Sequence, residues 1–344
     1  MRSHLRTAIV LLVAAGLVAL FLRNVDLRRV VADIVHSRPE WLALSLSTAF
    51  VSLAVRAIRW RYLLEPLGRT TFGNAFRATA VGFAASAILP ARAGEVIRPY
   101  FLARTAKSDQ RMSATGAFAT IIVERLLDVI TVLVLVASYV FVFGRSMQLT
   151  NPVALSWLKW IAALGAGGAS IALVVLFVLA GDPARLARAT ERFARVVPSL
   201  AGAIARVVEK FAQGLGAVRR PGRLLVALAW SFPLWLTIAA GIWAIAKAFH
   251  LAVPFTGTFV VIALLVLGVT VPTPGAIGGF HAAFRYGATT FFGAPDDAAV
   301  GAAIVLHLFS VGPSLLLGLL FAAQVGLNIE GIRRLARQAE QHTA

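Results

Sequence analysis

The chain contains no cysteine among its 344 residues. This absence excludes disulfide bonds, thiolate metal sites and a cysteine nucleophile, while the cellular compartment stays undecided. Charged residues are also scarce, at 14% of the chain, and the acidic ones are fewest, with 15 Asp and Glu against 33 Lys and Arg. Such usage is far from that of a soluble domain.

Apolar residues make up 59% of the chain, and its mean hydropathy is +0.82. Several apolar stretches approach or exceed the roughly 20 residues that cross a hydrocarbon core as a helix. No strand-like alternation recurs at the length that a membrane barrel needs. We therefore predict an all-α integral membrane protein.

The apolar stretches predict about six full membrane spans. Their limits are close to residues 8–22, 41–58, 116–143, 153–180, 224–249 and 298–327. The first stretch follows Arg2 and Arg6, as the core of a signal peptide does, but no small-x-small cleavage pattern ends it. We expect it to be retained as a helix of the mature protein.

Two further apolar segments, residues 72–89 and 255–292, are broken or too short for clean spans. Pro90 is followed by Gly94 and Pro274 by Gly278, so that each break has a proline with a glycine four residues on. If the arginine-rich flanks are cytoplasmic, each segment returns to the face it entered, and the two hairpins point in opposite directions. Oppositely oriented, Pro/Gly-broken hairpins in corresponding halves predict an inverted repeat with a transport site near the bilayer midplane.

The net charge of +18 is explained by arginines at the ends of spans and in one long loop. This distribution favours a membrane protein over a nucleic-acid-binding one. The positive-inside rule predicts a multi-pass protein of the bacterial inner membrane with cytoplasmic N- and C-termini, although residues 23–38 carry arginines on the predicted outer face. The run Arg56 to Arg61 is typical of an interfacial anchor, and the simplest prediction for Trp230, Trp235 and Trp243 is a lipid-facing or interfacial position.

Residues 181–223 are basic and amphipathic, and they divide one membrane domain into a first half, 1–180, and a second half, 224–344. The segment either lies on anionic headgroups or forms a solvated positive-inside loop. Both interpretations remain open.

Glu124, Arg125 and Asp128 lie inside an otherwise apolar run, where each charge costs roughly 2.5 to 3.5 kcal/mol. Glu124 and Asp128 share one helix face and need a cation nearby. We expect Arg92 and Arg98 as their partners and Glu95 as a further, cap-like partner. The cluster either is a static ion-pair network or contacts a substrate.

His281 and Arg285 are four residues apart and share a helix face. They either bind a phosphate or relay a proton, or His281 is an ordinary helix-contact residue. Lys247 and His307 are weaker candidates. No metal-ligand spacing, phosphate loop or nucleophile elbow occurs, so we predict no metal and no cofactor.

Four short motifs occur in a fixed order along the chain. They are Arg56-x-x-Arg59-Trp60 with Leu63-Leu64, Leu89-Pro90-Ala91-Arg92-Ala93-Gly94-Glu95 with Arg98, Glu124-Arg125-x-x-Asp128, and Pro272-x-Pro274-Gly275-x-x-Gly278. Together they resemble the lysylphosphatidylglycerol synthase transmembrane-region family, the flippase-like membrane domain of multiple-peptide-resistance-factor proteins. The resemblance covers nearly the whole chain. It implies movement of lipids between leaflets, in relatives that accompany hopanoid, polyprenyl-glycan or glycolipid pathways.

The chain departs from the family pattern at two positions. His281 stands where the family tends to have Glu, and Ser86 stands where Asn is frequent. The resemblance therefore does not predict how transport by this chain is coupled to an ion. Because the chain ends shortly after the last predicted span, we also expect no aminoacyl-transfer domain and no enzyme activity.

We predict a flippase or scramblase whose substrate is a phospholipid or a lipid-linked headgroup. The residues expected to bind it are Arg92, Glu95, Arg98, Glu124, Arg125, Asp128, Pro274, Gly275, Gly278, His281 and Arg285. Expected partners are membrane lipids and a lipid-synthesis enzyme, with no nucleic acid, and a homo-oligomer is left open. Two alternatives remain: a membrane-embedded enzyme with Glu124 and His281 as acid and base, and an accessory subunit that anchors a synthase through residues 181–223.

Overall fold

The computed structural model describes most of the predicted helices. The described residues are 26–89, 93–105, 112–143, 156, 160, 163–168, 171, 215, 220–271 and 273–325. The predicted first span, nearly all of 153–180, most of 181–223, and Pro90 and Arg92 lie outside the described residues. The division into two halves at 181–223 therefore stays a prediction.

Every regular element in the described part of the chain is helical. The α-helices whose limits the structure describes are α1 Leu27–Val35, α2 Pro39–Leu64, α3 Phe72–Ile88, α4 Gly94–Thr105, α5 Ala114–Ser138, α6 Pro221–Ala248, α7 Thr258–Gly268, α8 Gly279–Phe292 and α9 Asp296–Gln324. A π-helical turn, Tyr139–Phe143, extends α5, and short 3-10 turns cover Glu65–Leu67 and Pro274–Ala276.

Four of these helices, α2, α5, α6 and α9, are long and apolar enough to cross a membrane. They correspond to the predicted spans at 41–58, 116–143, 224–249 and 298–327, and they confirm an all-helical protein with several membrane spans. The total of six stays a prediction, because the other two spans lie largely outside the described residues.

The ends of the helices follow local sequence signals. Pro39 and Pro221 occupy the first turns of α2 and α6, where a missing N–H costs nothing. Thr71 caps α3 by accepting from the Asn74 N–H, and Ser113 caps α5 by accepting from the Gly116 N–H.

The bundle has two ends, named here the Pro39 end and the Leu64 end after the limits of α2. At the Pro39 end, the Arg38 N–H donates to the Ala248 carbonyl at 3.1 Å, which joins the start of α2 to the end of α6. At the Leu64 end, Arg223 donates to Glu65 at 2.6 Å. Helices α2 and α6 therefore run side by side in opposite directions.

Two hairpins of short helices enter the bundle from opposite ends. Helices α3 and α4 enter from the Leu64 end, where Phe76 of α3 packs on Phe321 near the end of α9. Helices α7 and α8 enter from the Pro39 end, where Gly257 lies against the ring of Phe292. The two tips meet inside the bundle, because a Cβ added to Gly275 would lie 3.4 Å from the Ala87 carbonyl oxygen.

Each hairpin is closed by a pair of glycines that face each other. A Cβ added to Gly94 would lie 1.7 Å from the Gly82 carbonyl oxygen, and one added to Gly279 would lie 2.1 Å from the Gly268 carbonyl oxygen. No side chain fits at these distances, so the backbones of the paired helices touch directly. Small residues permit this close packing where lipid surrounds the helices.

The turn of the second hairpin uses a left-handed backbone. Gly275 and Gly278 have φ of 61° and 91°, which suits glycine, and Ala276 has φ of 58°, which is rare for a residue with a Cβ. The Thr273 hydroxyl donates to the Ile277 carbonyl at 2.9 Å and bridges this turn. The glycines of the motif therefore shape the tip that lies next to Ala87.

The prediction of an interfacial anchor at residues 56–61 is wrong. Helix α2 continues through this run to Leu64, and Arg59 and Trp60 are fully buried. The physical reason is that α5 presents two carboxylates to this stretch of α2. These carboxylates stabilise Arg59 inside the protein. The residues next to it in the sequence give no sign of them and suggest an interfacial position instead.

We expect Gly94→Ala to destabilise the fold by about 1–3 kcal/mol or more, because the new methyl group forces α3 and α4 apart. The matched control is Gly73→Ala, also on the first hairpin, where a Cβ meets nothing within 4 Å. Thermal unfolding of the purified protein in detergent measures both. Equal transition temperatures for the two variants would contradict the glycine contact.

Candidate functional site

A cavity of about 570 Å³ lies where the two hairpin tips meet α2, α5, α6 and α9. This volume is within the range of about 300–1,000 Å³ that is typical of small-molecule sites. Val129, Thr270 and Ser310 line the cavity and are exposed, so it reaches the surface of the bundle.

One face of α2 lines the cavity from Ser45 to Arg56, about 16 Å of helix. Ser45, Thr48 and Ser52 lie on this face. The Thr48 and Ser52 hydroxyls donate to carbonyls of their own helix at 2.7 and 2.9 Å, and their oxygens keep the capacity to accept. The remaining walls are mostly aliphatic and aromatic side chains.

Beside the cavity lies a charge cluster, whose described members are Arg56, Arg59, Glu95, Arg98, Glu124, Arg125 and Asp128. Arg59 lies at its centre and has no exposed side-chain surface. Its Nη1 donates to Asp128 Oδ1 and to the Ser231 hydroxyl, both at 2.6 Å. Its Nη2 is 3.1 Å from Glu124 Oε1. One guanidinium therefore joins α2 to both carboxylates of α5 and to α6.

Arg98 connects the first hairpin to the same cluster. Its Nη1 donates to both carboxylate oxygens of Glu124 at 3.2 Å. Its guanidinium lies 3.9 Å from the ring centroid of Trp60, whose indole donates to Thr120 at 3.0 Å. The position of Arg98 is thus fixed by an ion pair and by a cation–π contact.

Arg125 and Glu95 form the rim of the cluster, and one third of each side chain is exposed. Arg125 lies 3.4 Å from Glu124, 3.5 Å from Asp128 and 3.8 Å from Glu95. Glu95 is in the first turn of α4, where a negative charge also suits the helix dipole.

Arg56 is the most weakly paired arginine of the cluster. Its Nη1 is 4.0 Å from Asp128 Oδ2, and its guanidinium lies over the rings of Phe83 and Trp235, at 5.2 and 6.0 Å. The Trp235 indole donates to Asp128 Oδ1 at 3.0 Å. The prediction that Trp235 faces lipid is therefore wrong, because a buried carboxylate accepts its N–H.

Arginine charge and hydrogen-bond donors are in excess in this cluster. Among the described residues, four arginines meet three carboxylates, which leaves one positive charge. Buried guanidinium nitrogens that make no hydrogen bond within the described part of the chain occur on Arg56, Arg59, Arg98 and Arg125. Buried donors without acceptors are costly, so the site suits a ligand that brings acceptor oxygens.

Two histidines lie at the tip of the second hairpin. His307 of α9 lines the cavity, and its Nε2 is 2.7 Å from the Gly275 carbonyl, so this nitrogen carries the proton and donates. The rings of His281 and His307 are 4.6 Å apart between centroids. His281 Nδ1 accepts from the Gly278 N–H at 3.3 Å. The pair holds the strained turn in place.

The structure brings together most of the residues predicted to bind substrate. Those that line the cavity are Glu95, Arg98, Arg125, Asp128 and Gly275, and Glu124, Gly278 and His281 are buried behind its wall. Arg285 lies apart from them at the Pro39 end, where its Nε donates to Asp296 at 2.6 Å. Arg92 and the side chain of Pro274 lie outside the described residues. That these residues bind substrate stays a prediction.

Sequence reasoning gave no site role to Arg56, Arg59 or Trp235, and it ranked His307 low. A signal for the first two was present, since arginines three residues apart share a helix face and could both meet carboxylates on another helix. No comparable signal marked Trp235 or His307.

A family model of the lysylphosphatidylglycerol synthase TM region matches residues 7–318. The chain belongs to this family. The match covers all nine described helices except the last residues of α9, so the resemblance drawn from four motifs is confirmed.

The chain is also similar to a curated relative, Glycosyltransferase AglD of Haloferax volcanii. The two are 28% identical over 123 residues, a stretch that covers 36% of this chain and 19% of that protein. The chain thus matches only a minor part of the length of this relative.

We expect Glu124→Gln to destabilise the protein by about 3–5 kcal/mol, because it leaves Arg59 and Arg98 buried with one carboxylate fewer. The control is Glu65→Gln, which removes a half-exposed partner of Arg223 and is expected to cost under about 1 kcal/mol. Thermal unfolding in detergent measures both changes.

Adding Arg98→Gln to Glu124→Gln should destabilise the protein by less than the sum of the two single substitutions. Strict additivity would contradict the ion pair.

Proposed function

We propose that this family member moves a phospholipid or a lipid-linked headgroup between the leaflets of the bacterial inner membrane. The observation that carries the proposal is the central cavity. Buried arginine donors that find no hydrogen-bond acceptor in the described part of the chain lie there, beside the meeting point of the two hairpin tips. A phosphate-bearing headgroup supplies the missing acceptors. The acyl chains stay in the surrounding lipid, which the cavity reaches through its exposed lining.

The charges at the two ends of the bundle support one orientation. Described charges at the Leu64 end, outside the central cluster, are Arg61, Glu65, Arg69, Arg77, Arg104, Arg220 and Arg223. Those at the Pro39 end are Asp26, Arg28, Arg29, Asp33, Arg38, Glu40, Lys247, Arg285, Asp296 and Asp297, which balance to zero. By the positive-inside rule the Leu64 end is cytoplasmic, and α9 brings the C-terminal side of the chain there.

The order of the helices supports an inverted repeat. Long helix α2, hairpin α3–α4 and long helix α5 are followed by long helix α6, hairpin α7–α8 and long helix α9. The corresponding long helices run in opposite directions, and each hairpin is closed by one glycine pair. In a membrane both hairpins are then re-entrant, with their tips near the midplane, which is the arrangement of many secondary transporters.

Alternating access follows from the contact between the tips. Gly275 of one hairpin lies against Ala87 of the other, and both line the cavity. Rocking one half against the other separates the tips and opens the cavity towards one leaflet at a time. The ion pairs of Arg98 with Glu124 hold the first hairpin to α5 during this movement, so the binding groups move as a unit.

A second candidate function is an accessory role in lipid-linked glycosyl transfer. The similarity to Glycosyltransferase AglD favours it, since part of that protein resembles this chain. In such a role the cavity would hold a lipid carrier for a partner enzyme. One experiment distinguishes the two functions. Only a transporter exchanges lipid between leaflets when the purified chain is present without a partner enzyme.

We expect Ala49→Trp to abolish lipid exchange, because Ala49 lines the cavity on α2 and an indole there occupies the path of a headgroup. The control is Leu44→Trp, at an exposed position of the same helix. Protein reconstituted in liposomes with a fluorescent phospholipid is assayed by dithionite bleaching of the outer leaflet. Wild type and Leu44→Trp should make nearly all of the label accessible, and Ala49→Trp should leave about half protected.

Two results would contradict the transport proposal. One is a wild-type protein that leaves half of the label protected, as empty liposomes do. The other is an Ala49→Trp variant that exchanges lipid as fast as Leu44→Trp, which would place the lipid path outside the cavity.

A further inference from the structure

We infer that the headgroup bound in the cavity is net anionic, a phosphate ester without an amine, and that Arg56 is the residue that selects it. The inference rests on the proposed function in taking a lipid as the occupant, and it adds the charge class of that lipid.

All three carboxylates of the cluster already contact arginine. Glu124 has Arg59, Arg98 and Arg125 within 3.4 Å. Asp128 Oδ1 is bound by Arg59, and its Oδ2, which accepts no hydrogen bond among the described residues, still lies 3.5 Å from Arg125 and 4.0 Å from Arg56. Glu95 lies 3.8 Å from Arg125. A headgroup with an ammonium group would therefore add a cation to a cluster in which no described carboxylate lacks an arginine.

Arg56 is the arginine of the cluster that lies furthest from a described carboxylate. Its ion-pair contact to Asp128 is at 4.0 Å, beyond hydrogen-bond distance, and its buried Nη1 has no hydrogen-bond partner among the described residues. The side chain is only 13% exposed. The guanidinium lies over the rings of Phe83 and Trp235, which attract its charge. Its Nη1 therefore has a donor to offer to a ligand.

The chemistry of this arrangement fits a phosphate. A guanidinium presents parallel N–H groups that match two phosphate oxygens, and a buried site strengthens the pairing. A phosphodiester carries one negative charge and neutralises the excess positive charge of the cluster, and a phosphomonoester carries up to two. An amine on the same headgroup reverses this gain, because like charges repel at close range.

Binding in detergent tests the inference without reference to leaflets. Native mass spectrometry of the full chain compares phosphatidylglycerol with phosphatidylethanolamine of the same acyl chains, and with lysyl-phosphatidylglycerol as the cationic member. Wild type should bind phosphatidylglycerol about tenfold more tightly than either amine lipid.

Arg56→Gln should weaken phosphatidylglycerol binding about tenfold and leave phosphatidylethanolamine nearly unchanged. The matched control is Arg61→Gln, at an exposed position of the same helix, which should keep the wild-type preference. Arg56→Lys retains the charge without the planar guanidinium, and we expect it to keep part of the preference. The thermal transition of each variant separates loss of selectivity from loss of fold.

Two outcomes would overturn the inference: equal or tighter binding of an amine lipid by wild type, and an undiminished preference in a folded Arg56→Gln variant. The transport proposal is judged separately, by exchange in liposomes. A protein that prefers phosphatidylglycerol through Arg56 but exchanges no lipid would refute transport and leave the selectivity intact. A protein that exchanges amine lipids equally well, with no preference in binding, would support transport and refute the selectivity.

Discussion

The contact of Arg59 with Asp128 and Glu124 is the interaction on which the rest of the structure depends. This guanidinium, with no exposed surface, joins α2 to α5 and, through Ser231, to α6. Glu124 in turn binds Arg98 and so fixes the first hairpin. Removing one member of a buried ion pair leaves an uncompensated charge, so these contacts hold α2, α4, α5 and α6 in one arrangement. The cavity forms where that arrangement meets the second hairpin.

Helices α2 to α5 and helices α6 to α9 have a similar order but different chemistry. The seven charged side chains of the cluster that the structure describes come from α2, α4 and α5, which precede residue 181. Helices α6 to α9 contribute Trp235, His307 and a glycine turn to the same cavity. In the proposed mechanism the first half holds the headgroup, and the second half supplies the apolar surface and the tip that moves across it. The charges of the cluster are thus confined to the helices that precede residue 181.

Local sequence signals predicted the helices well, because length, apolar content and Pro/Gly breaks act within a few residues. The four described spans follow from such signals. The pairing of Arg98 with Glu124 was predicted from topology, which places the first hairpin beside the charged helix. The roles of Arg56 and Arg59 were not predicted, since these arginines are buried only because α5 places carboxylates opposite them. Arg285 shows the same limit: its spacing from His281 suggested a shared site, whereas Asp296 at the start of α9 binds it instead. Which partner an arginine takes is decided by packing between helices.

The most direct measurement is a structure of the chain by electron cryomicroscopy in nanodiscs that contain phosphatidylglycerol. The central claim is that the charged cavity holds a lipid headgroup between the hairpin tips. The account predicts density for a phosphate within hydrogen-bond distance of Arg56 or Arg98, with acyl chains leaving through the opening near Ser310. A cavity without lipid density, in which the arginines contact only the protein's own carboxylates and lipids lie solely on the outer surface, would contradict it.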